Sequence, residues 1–128
     1  PAHPMEIWIG AVGTRMLALT GRLGDGWIPS SSYVPPEKLP ESNRRIDAAA
    51  EQAGRDPRQI RRLYNVVGRI TPGERGGYLE GPVDYWAAEL RRLVDECGMD
   101  SFLFGPQDPS EEQIRRFAEE VVPRVRGH

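Results

Sequence analysis

Four short apolar runs divide this chain of 128 residues, and a helical pattern follows each run. The runs are Ile7–Ile9, Trp27–Ile28, Leu63–Ile70 and Phe102–Phe104. They are rich in aromatic and β-branched residues, which is typical of strands. Apolar residues occupy successive positions, a pattern that favours strands covered on both faces. The alternation of strand and helix predicts an α/β fold of four parallel βα units with right-handed crossovers.

Apolar residues recur at helical spacing in the segments between and after these runs. The first predicted helix is Thr14–Leu23, and the second begins near Pro36 or Pro40 and ends at Gly54. The third has Gly81 and Pro82 at its first positions and ends at Gly98. The fourth begins at Ser110 and ends at Pro123. Ser110 and Gln113 have the spacing of a capping box. Pro123 has no amide hydrogen for a helical bond, so the last helix is expected to end there.

Two irregular stretches, Ser30–Pro36 and Thr71–Gly81, each follow a predicted strand. Both therefore belong to the carboxyl edge of the sheet, where α/β proteins place their ligand sites. Ser30–Ser32 and Gly76–Gly77 are predicted to be mobile, so that either loop could cover a ligand. The alternative is that both loops are solvated connections.

The length and charge of the chain limit the class of protein to which it can belong. The length suits a single domain with its own core. Seventeen basic and 19 acidic residues give a net charge of -2, and their mixing within helices argues against a nucleic-acid partner. No apolar run approaches the roughly 18–20 residues of a membrane span. A single cysteine, Cys97, excludes an internal disulfide and favours a reducing compartment, the cytoplasm.

The turn after the first strand is the strongest ligand signal in the chain. The candidate anion-binding residues are Gly10, Ala11, Val12, Gly13, Thr14 and Arg15. Backbone amides at the start of a helix can converge on an anion, while Thr14 adds a hydroxyl donor and Arg15 a guanidinium. The G-x-x-G spacing differs from the dinucleotide pattern G-x-G-x-x-G. The alternative is an ordinary tight turn with Gly13 as the helix N-cap and Arg15 in solvent.

Other chemically capable residues carry weaker signals. Trp8 and Trp27 either line a ligand pocket or pack in the core. Arg69, near the end of a long strand, either holds an anion at the sheet edge or caps the strand in solvent. Cys97 lies on an apolar helical stripe and is expected to be a small buried side chain.

The acid–base candidates are few, so no catalytic residue is assigned from the sequence. His3 and His128 lie at the termini, where precise geometry is not expected. Asp25 precedes a strand at the amino end of the sheet and is expected to be structural, and Asp56 and Asp100 have the positions of turn and cap residues. No cluster with metal-ligand spacing and no nucleophile–base pattern is present in the sequence.

Four segments occur in an order that resembles the carboxyl-terminal half of the luciferase-like family of flavin- or deazaflavin-dependent oxidoreductases. They are Ile7–Arg15, Asp25–Pro29, Gly54–Pro57 and Gly98–Phe102. The resemblance implies half of a TIM (β/α)₈ barrel and a monooxygenase or oxidoreductase activity. It also implies FMN or the deazaflavin coenzyme F420 as cofactor, with its phosphate on the turn Gly10–Arg15. The chemistry would be hydride transfer or oxygen activation on a small-molecule substrate that the residues leave open.

A complete barrel of this type takes about 250 residues, so four βα units make half of one. The chain is therefore expected to be a fragment, a split gene product, a proteolytic remnant, or a half-barrel that pairs with another copy. Such a half has two open edges and an uncovered face, which predicts self-association. Two further functions stay open: a non-catalytic half-barrel that oligomerises without cofactor, and a small flavodoxin-like phosphate-binding module.

Overall fold

The computed structural model describes residues 5–10 and 13–126, which form a parallel sheet with helices on one side. The strands are β1 (Trp8–Ile9), β2 (Gly26–Trp27), β3 (Arg61–Ile70), β4 (Glu80–Gly81) and β5 (Ser101–Pro106). The helices are α1 (Thr14–Leu23), α2 (Leu39–Gln52), α3 (Val83–Asp95), α4 (Glu111–Arg116) and α5 (Val122–Arg126), with short 3-10 turns at Pro36–Lys38 and Pro57–Gln59. The predicted order of four βα units is confirmed.

The strand order is β1-β2-β3, and both β4 and β5 pair with β3. All four pairings are parallel, as the alternating pattern predicts. Strand β4 lies at the end of the stretch predicted to be irregular, where Arg69 pairs with Glu80 and Ile70 with Gly81. Gly81 is therefore a strand residue, and α3 begins after Pro82 as its N-cap.

Burial alternates along β3, which contradicts the expectation of strands covered on both faces. Tyr64, Val66 and Ile70 are buried under the helices, on what we call the helix face. The intervening residues, which include Asn65 and Val67, are only half-buried on the opposite, open face. The described helices cover one side of the sheet, so apolar residues on the other side remain without cover from this chain.

The core lies between the sheet and the helices. Trp27 and Trp86 have no exposed surface, so Trp27 is a core residue, as one of its two predicted roles requires. Trp86 contacts Phe104 and Phe117 edge-on at ring-centroid distances of 5.4 and 6.0 Å. These contacts join α3 and the last helical segment to β5.

The carboxyl-terminal helix differs from its prediction in two ways. It does not end at Pro123, because a π-helical segment, Phe117–Val121, precedes this residue and leads directly into α5. The wider π turn accommodates a proline that would collide with the carbonyl of a regular turn. Ser110 caps α4 by accepting a hydrogen bond from the Gln113 amide, but the capping box is incomplete. The Gln113 side chain instead pairs with both backbone groups of Ile70.

Candidate functional site

The predicted anion-binding turn lies at the carboxyl end of β1. Ala11 and Val12 lie outside the described residues, whereas Gly10, Gly13, Thr14 and Arg15 are described and exposed. Gly13 is the N-cap of α1 and has extended backbone angles. The turn therefore has the strand–turn–helix context that the sequence predicts.

The first turn of α1 presents free backbone donors. The Leu17 amide donates to the Gly13 carbonyl at 2.9 Å, so the amides that precede Leu17 in the helix have no partner within it. No side chain caps this end, and its first turn has no acidic residue. The helix dipole adds partial positive charge at the same place. This arrangement fits an anion.

Gly13 has no structural need to be glycine in this chain. Its φ is -71°, which any residue adopts. A Cβ atom placed on it would meet no atom within 4 Å. The absent side chain leaves open space beside the free amides, which fits the close approach of a ligand to the backbone.

The open face carries polar residues in the middle of β3 and the Trp8 indole nearer the amino edge, in register with Arg61. A Cβ on Gly26 would lie 2.4 Å from the Trp8 ring, so this indole covers β2 on the open face. The Asn65 and Val67 side chains lie on that face beside Gly105. Trp8 is therefore half-buried on the open face, where the alternative of lining a ligand pocket stays available to it.

Ser30 and Ser31, which follow β2, are hydrogen-bonded to the sheet. Ser30 forms a parallel bridge with Asn65, and the Ser31 amide donates to the Asn65 carbonyl at 2.9 Å. The Ser31 hydroxyl oxygen accepts from the Val67 amide at 2.9 Å. The prediction of a mobile segment is wrong for Ser30 and Ser31, because the backbone continues to pair with β3 after β2 ends. The same bridge gives Ser30 the register of Asn65 and so places Ser30 on the open face, which no local motif indicates.

Arg69 lies at the last open-face position of β3, beside the loop 71–80. A cavity of about 640 Å³ opens between Arg69 and this loop, with Thr71, Arg75 and Glu80 among its lining residues. The sequence leaves Arg69 between anion contact and solvent cap, and its place in the cavity wall favours the former.

The aspartates and the cysteine that the sequence analysis singled out have structural roles. Asp25 accepts from the Ile7 amide at 2.7 Å, and Asp56 accepts from the Arg58 amide at 2.9 Å. The hydrogen bonds from Arg58 lower the pKa of Asp56 below its ordinary value. Cys97 is buried, and this burial raises the pKa of its thiol. His3 and His128 lie outside the described residues.

A buried arginine network at the amino edge of the sheet has no counterpart in the sequence analysis. The Arg62 guanidinium is 6% exposed and donates to Asn43 Oδ1 at 3.0 Å and Asp47 Oδ1 at 2.7 Å. It also donates to the carbonyls of Ile60 and Pro57. Since all three nitrogens of the guanidinium donate to groups of the protein, the network is structural rather than catalytic.

Two classes of feature are absent from residues 5–10 and 13–126. No group of three or more His, Cys, Asp or Glu side chains among them is arranged to hold a metal ion. Within the same residues, no helix has the length and apolar character needed to cross a membrane.

Comparison with known proteins gives consistent matches. The family model described as luciferase-like monooxygenase matches residues 1–75. The phthiodiolone/phenolphthiodiolone dimycocerosates ketoreductase of Mycobacterium kansasii is 44% identical over 88 residues, which are 69% of this chain and 23% of that protein. The F420-dependent hydroxymycolic acid dehydrogenase of Mycobacterium tuberculosis is 38% identical over 71 residues, which are 53% of this chain and 19% of that protein.

Solved structures match almost the whole chain. An F420-dependent secondary alcohol dehydrogenase in complex with an F420–acetone adduct has a TM-score of 0.81 at 16% identity, over 98% of this chain and 50% of that one. The coenzyme F420-dependent tetrahydromethanopterin reductase from Methanopyrus kandleri has a TM-score of 0.78 at 15% identity, over 94% and 51%. The chain spans less than a quarter of the two curated relatives and about half of these structures. Because the structural neighbours are TIM barrels, the expected half-barrel fold is confirmed.

Proposed function

This chain belongs to the luciferase-like monooxygenase family, and we propose that it forms one half of a flavin- or F420-dependent oxidoreductase barrel. Its part in that enzyme is to hold the cofactor phosphate on the turn Gly10–Arg15. Relatives named as F420-dependent support a deazaflavin as the cofactor. A matching structure, a riboflavin lyase with modified FMN, supports a flavin as the alternative. The activity and substrate of the whole enzyme are part of the same proposal.

The observation that carries the proposal is the open space at Gly13. Neither backbone angle nor packing within this chain calls for a glycine there. A phosphate placed in that space would accept hydrogen bonds from the free amides of α1. Thr14 and Arg15 are exposed beside it and would add a hydroxyl donor and a bidentate cation.

The residues of this chain would bind and orient rather than react. The bound cofactor supplies the hydride transfer or oxygen activation of the family's chemistry. Asn65, and Ser30 in register with it, lie on the face that points into a completed barrel, where they would contact the cofactor ring or the substrate. Trp8 would exclude water from the same interior.

The cofactor role predicts opposite effects of Gly13→Asp on stability and on binding. An aspartate N-cap accepts an amide hydrogen and complements the helix dipole, so we expect stability to rise by about 0.5 kcal/mol. The same carboxylate would occupy the backbone amides that the phosphate needs and would repel the phosphate's negative charge. The affinity for FMN or F420 should therefore fall by about tenfold or more. Fluorescence titration measures the affinity, and urea unfolding measures the stability.

Gln59→Glu is the matched control, because it adds one negative charge at an exposed position on the amino edge. It should leave both quantities unchanged. A Gly13→Asp chain that binds cofactor as well as the parent chain would remove the turn from the proposed site. Failure of the parent chain to bind either cofactor at any concentration would instead favour the non-catalytic half-barrel.

The uncovered face and edges support a second proposal, that this half associates with another barrel half. Leu103 is 55% exposed on β5, whose outer edge has no partner among the described strands. We expect light scattering to show dimers or larger species whose proportion rises with concentration. A single monomeric mass over a wide concentration range would contradict this expectation.

A further inference from the structure

The cavity at the carboxyl end of β3 is a second place where this chain can hold a ligand. Its volume of about 640 Å³ lies within the size range of small-molecule sites, about 300–1,000 Å³. Its charged lining residues are Arg69, Glu74, Arg75 and Glu80. No described residue of the turn after β1 lines it, so it is separate from the proposed phosphate site.

Arg69 offers an unused guanidinium to this cavity. Its backbone is fixed, since the amide donates to the Leu79 carbonyl at 2.9 Å and the carbonyl accepts from Trp86 Nε1 at 3.1 Å. Its exposed side chain makes no hydrogen bond or ion pair with another described residue. A guanidinium has five donors in a planar fork, which suits an oxyanion.

The glutamates of the cavity do not neutralise its arginines. Within the described part of the chain, no carboxylate lies within ion-pair distance of Arg69 or Arg75. Glu80 Oε1 instead accepts from the Gly77 amide at 2.9 Å. The Arg75 guanidinium lies 3.6 Å above the Tyr85 ring and donates to the carbonyls of Gly77 and Glu80, so it stabilises the loop.

The loop that forms the cavity is held in a strained shape. Leu79 is fully buried with a φ of +61°, a left-handed conformation that costs a branched residue about 1–3 kcal/mol. The Tyr85 hydroxyl accepts from the Leu79 amide at 2.9 Å, which helps to maintain this conformation. Thr71 closes the other end by donating to the Glu74 carbonyl at 2.6 Å. The cavity is therefore formed before a ligand arrives, as strained loops at binding sites are.

We propose that this cavity binds an oxyanion, a carboxylate or a phosphate group, with the Arg69 guanidinium as its main contact. The anion belongs either to a second molecule, such as the substrate, or to a distal part of the cofactor. Both sources present the same chemistry to Arg69. The proposal does not depend on the phosphate role of the turn after β1.

Inorganic phosphate is the probe, titrated at constant ionic strength into the full chain and its variants while amide shifts are followed by NMR. Arg69→Gln removes the proposed contact, and Arg44→Gln removes an arginine of α2 whose side chain is 67% exposed. We expect saturable shifts in residues 69–80 of the parent chain. The dissociation constant should rise about tenfold in Arg69→Gln and stay unchanged in Arg44→Gln.

Arg69→Lys retains the charge without the fork, so it should recover part of the lost affinity. Absence of saturable shifts in residues 69–80 would overturn the proposal, and so would equal affinity in Arg69→Gln and the parent chain. Shifts confined to residues 13–17 would overturn it as well, by assigning phosphate to the first turn alone. Gly13→Asp separates the two sites, because it should leave the shifts of residues 69–80 in place.

Competition identifies the source of the anion. If F420 or FMN displaces phosphate from residues 69–80, the cavity holds part of the cofactor. If phosphate remains bound in the presence of saturating cofactor, the cavity serves a second molecule. Either result supports an oxyanion site at Arg69.

Discussion

Replacing Arg62 by alanine should lower the free energy of unfolding by about 3–5 kcal/mol. The change removes a buried guanidinium and leaves Asn43 Oδ1 and the Ile60 carbonyl without their hydrogen-bond donor. It also leaves Asp47 without its ion pair. A domain of this size has a total stability of about 5–15 kcal/mol, so the variant should lose a large fraction of it. Urea unfolding followed by circular dichroism measures the difference.

The neighbouring Arg61 provides the control. Its side chain is 55% exposed, and its contacts with Asp100 and Ser101 lie at the surface. Because exposed ion pairs contribute about 0–1 kcal/mol, Arg61→Ala should change stability by no more than that. Equal losses in the two variants would contradict the structural role assigned to the Arg62 network.

Gly68→Ala should have the second-largest effect, a loss of about 3 kcal/mol. A Cβ at this position would lie 2.0 Å from the Leu79 carbonyl oxygen and 2.8 Å from its Cβ. The contacting oxygen belongs to the backbone and accepts the Arg69 amide, so it cannot move without breaking the β3–β4 contact. The loop 71–80 should therefore detach, and phosphate binding at Arg69 should weaken with it.

Gly105→Ala is the matched control, because it also adds a methyl group to a strand glycine. A Cβ there would meet the Val67 side chain at an ordinary 3.5 Å on the open face. Its effect should be neutral or slightly stabilising, since alanine loses less conformational freedom than glycine on folding. Thermal unfolding of both variants, with exchange rates of the loop amides, tests the contrast. A Gly68→Ala chain with native stability and loop protection would show that the close contact can relax.

Local signals were sufficient for most of the secondary structure. Helix α1 has its predicted bounds of Thr14–Leu23, and Ser110 caps α4 as predicted. The mistakes arose where distant residues changed the local preference. Gln113 prefers the backbone of Ile70 to a capping box, and Ser30 and Ser31 pair with β3 beyond the end of their own strand.

The strand–turn–helix context of the candidate site was predictable, and the residues around it were less so. The turn Gly10–Arg15 combines a strand end with a helix start, and both are periodic features of the sequence. Asn65 was not found, because a single polar residue in an apolar run carries no signal until its neighbours place it on the open face. The anion contact proposed for Arg69 likewise depends on the tertiary structure, because no carboxylate of the described residues lies within ion-pair distance of its side chain.

The sequence by itself determined the order of parallel βα units and the edge of the sheet at which a ligand site is expected. These properties follow from periodicity and from glycine and proline positions, which are local, whereas the family was recognised by the resemblance of four segments to known proteins. The tertiary structure alone decided that Arg62 is buried while Arg61 is exposed, and that one face of the sheet is uncovered. It also decided that a side chain at Gly68 would collide with Leu79, whereas one at Gly13 would meet open space. Such properties depend on partners far apart in the chain, as the hydrogen bond between Arg62 and Asp100, 38 positions apart, illustrates.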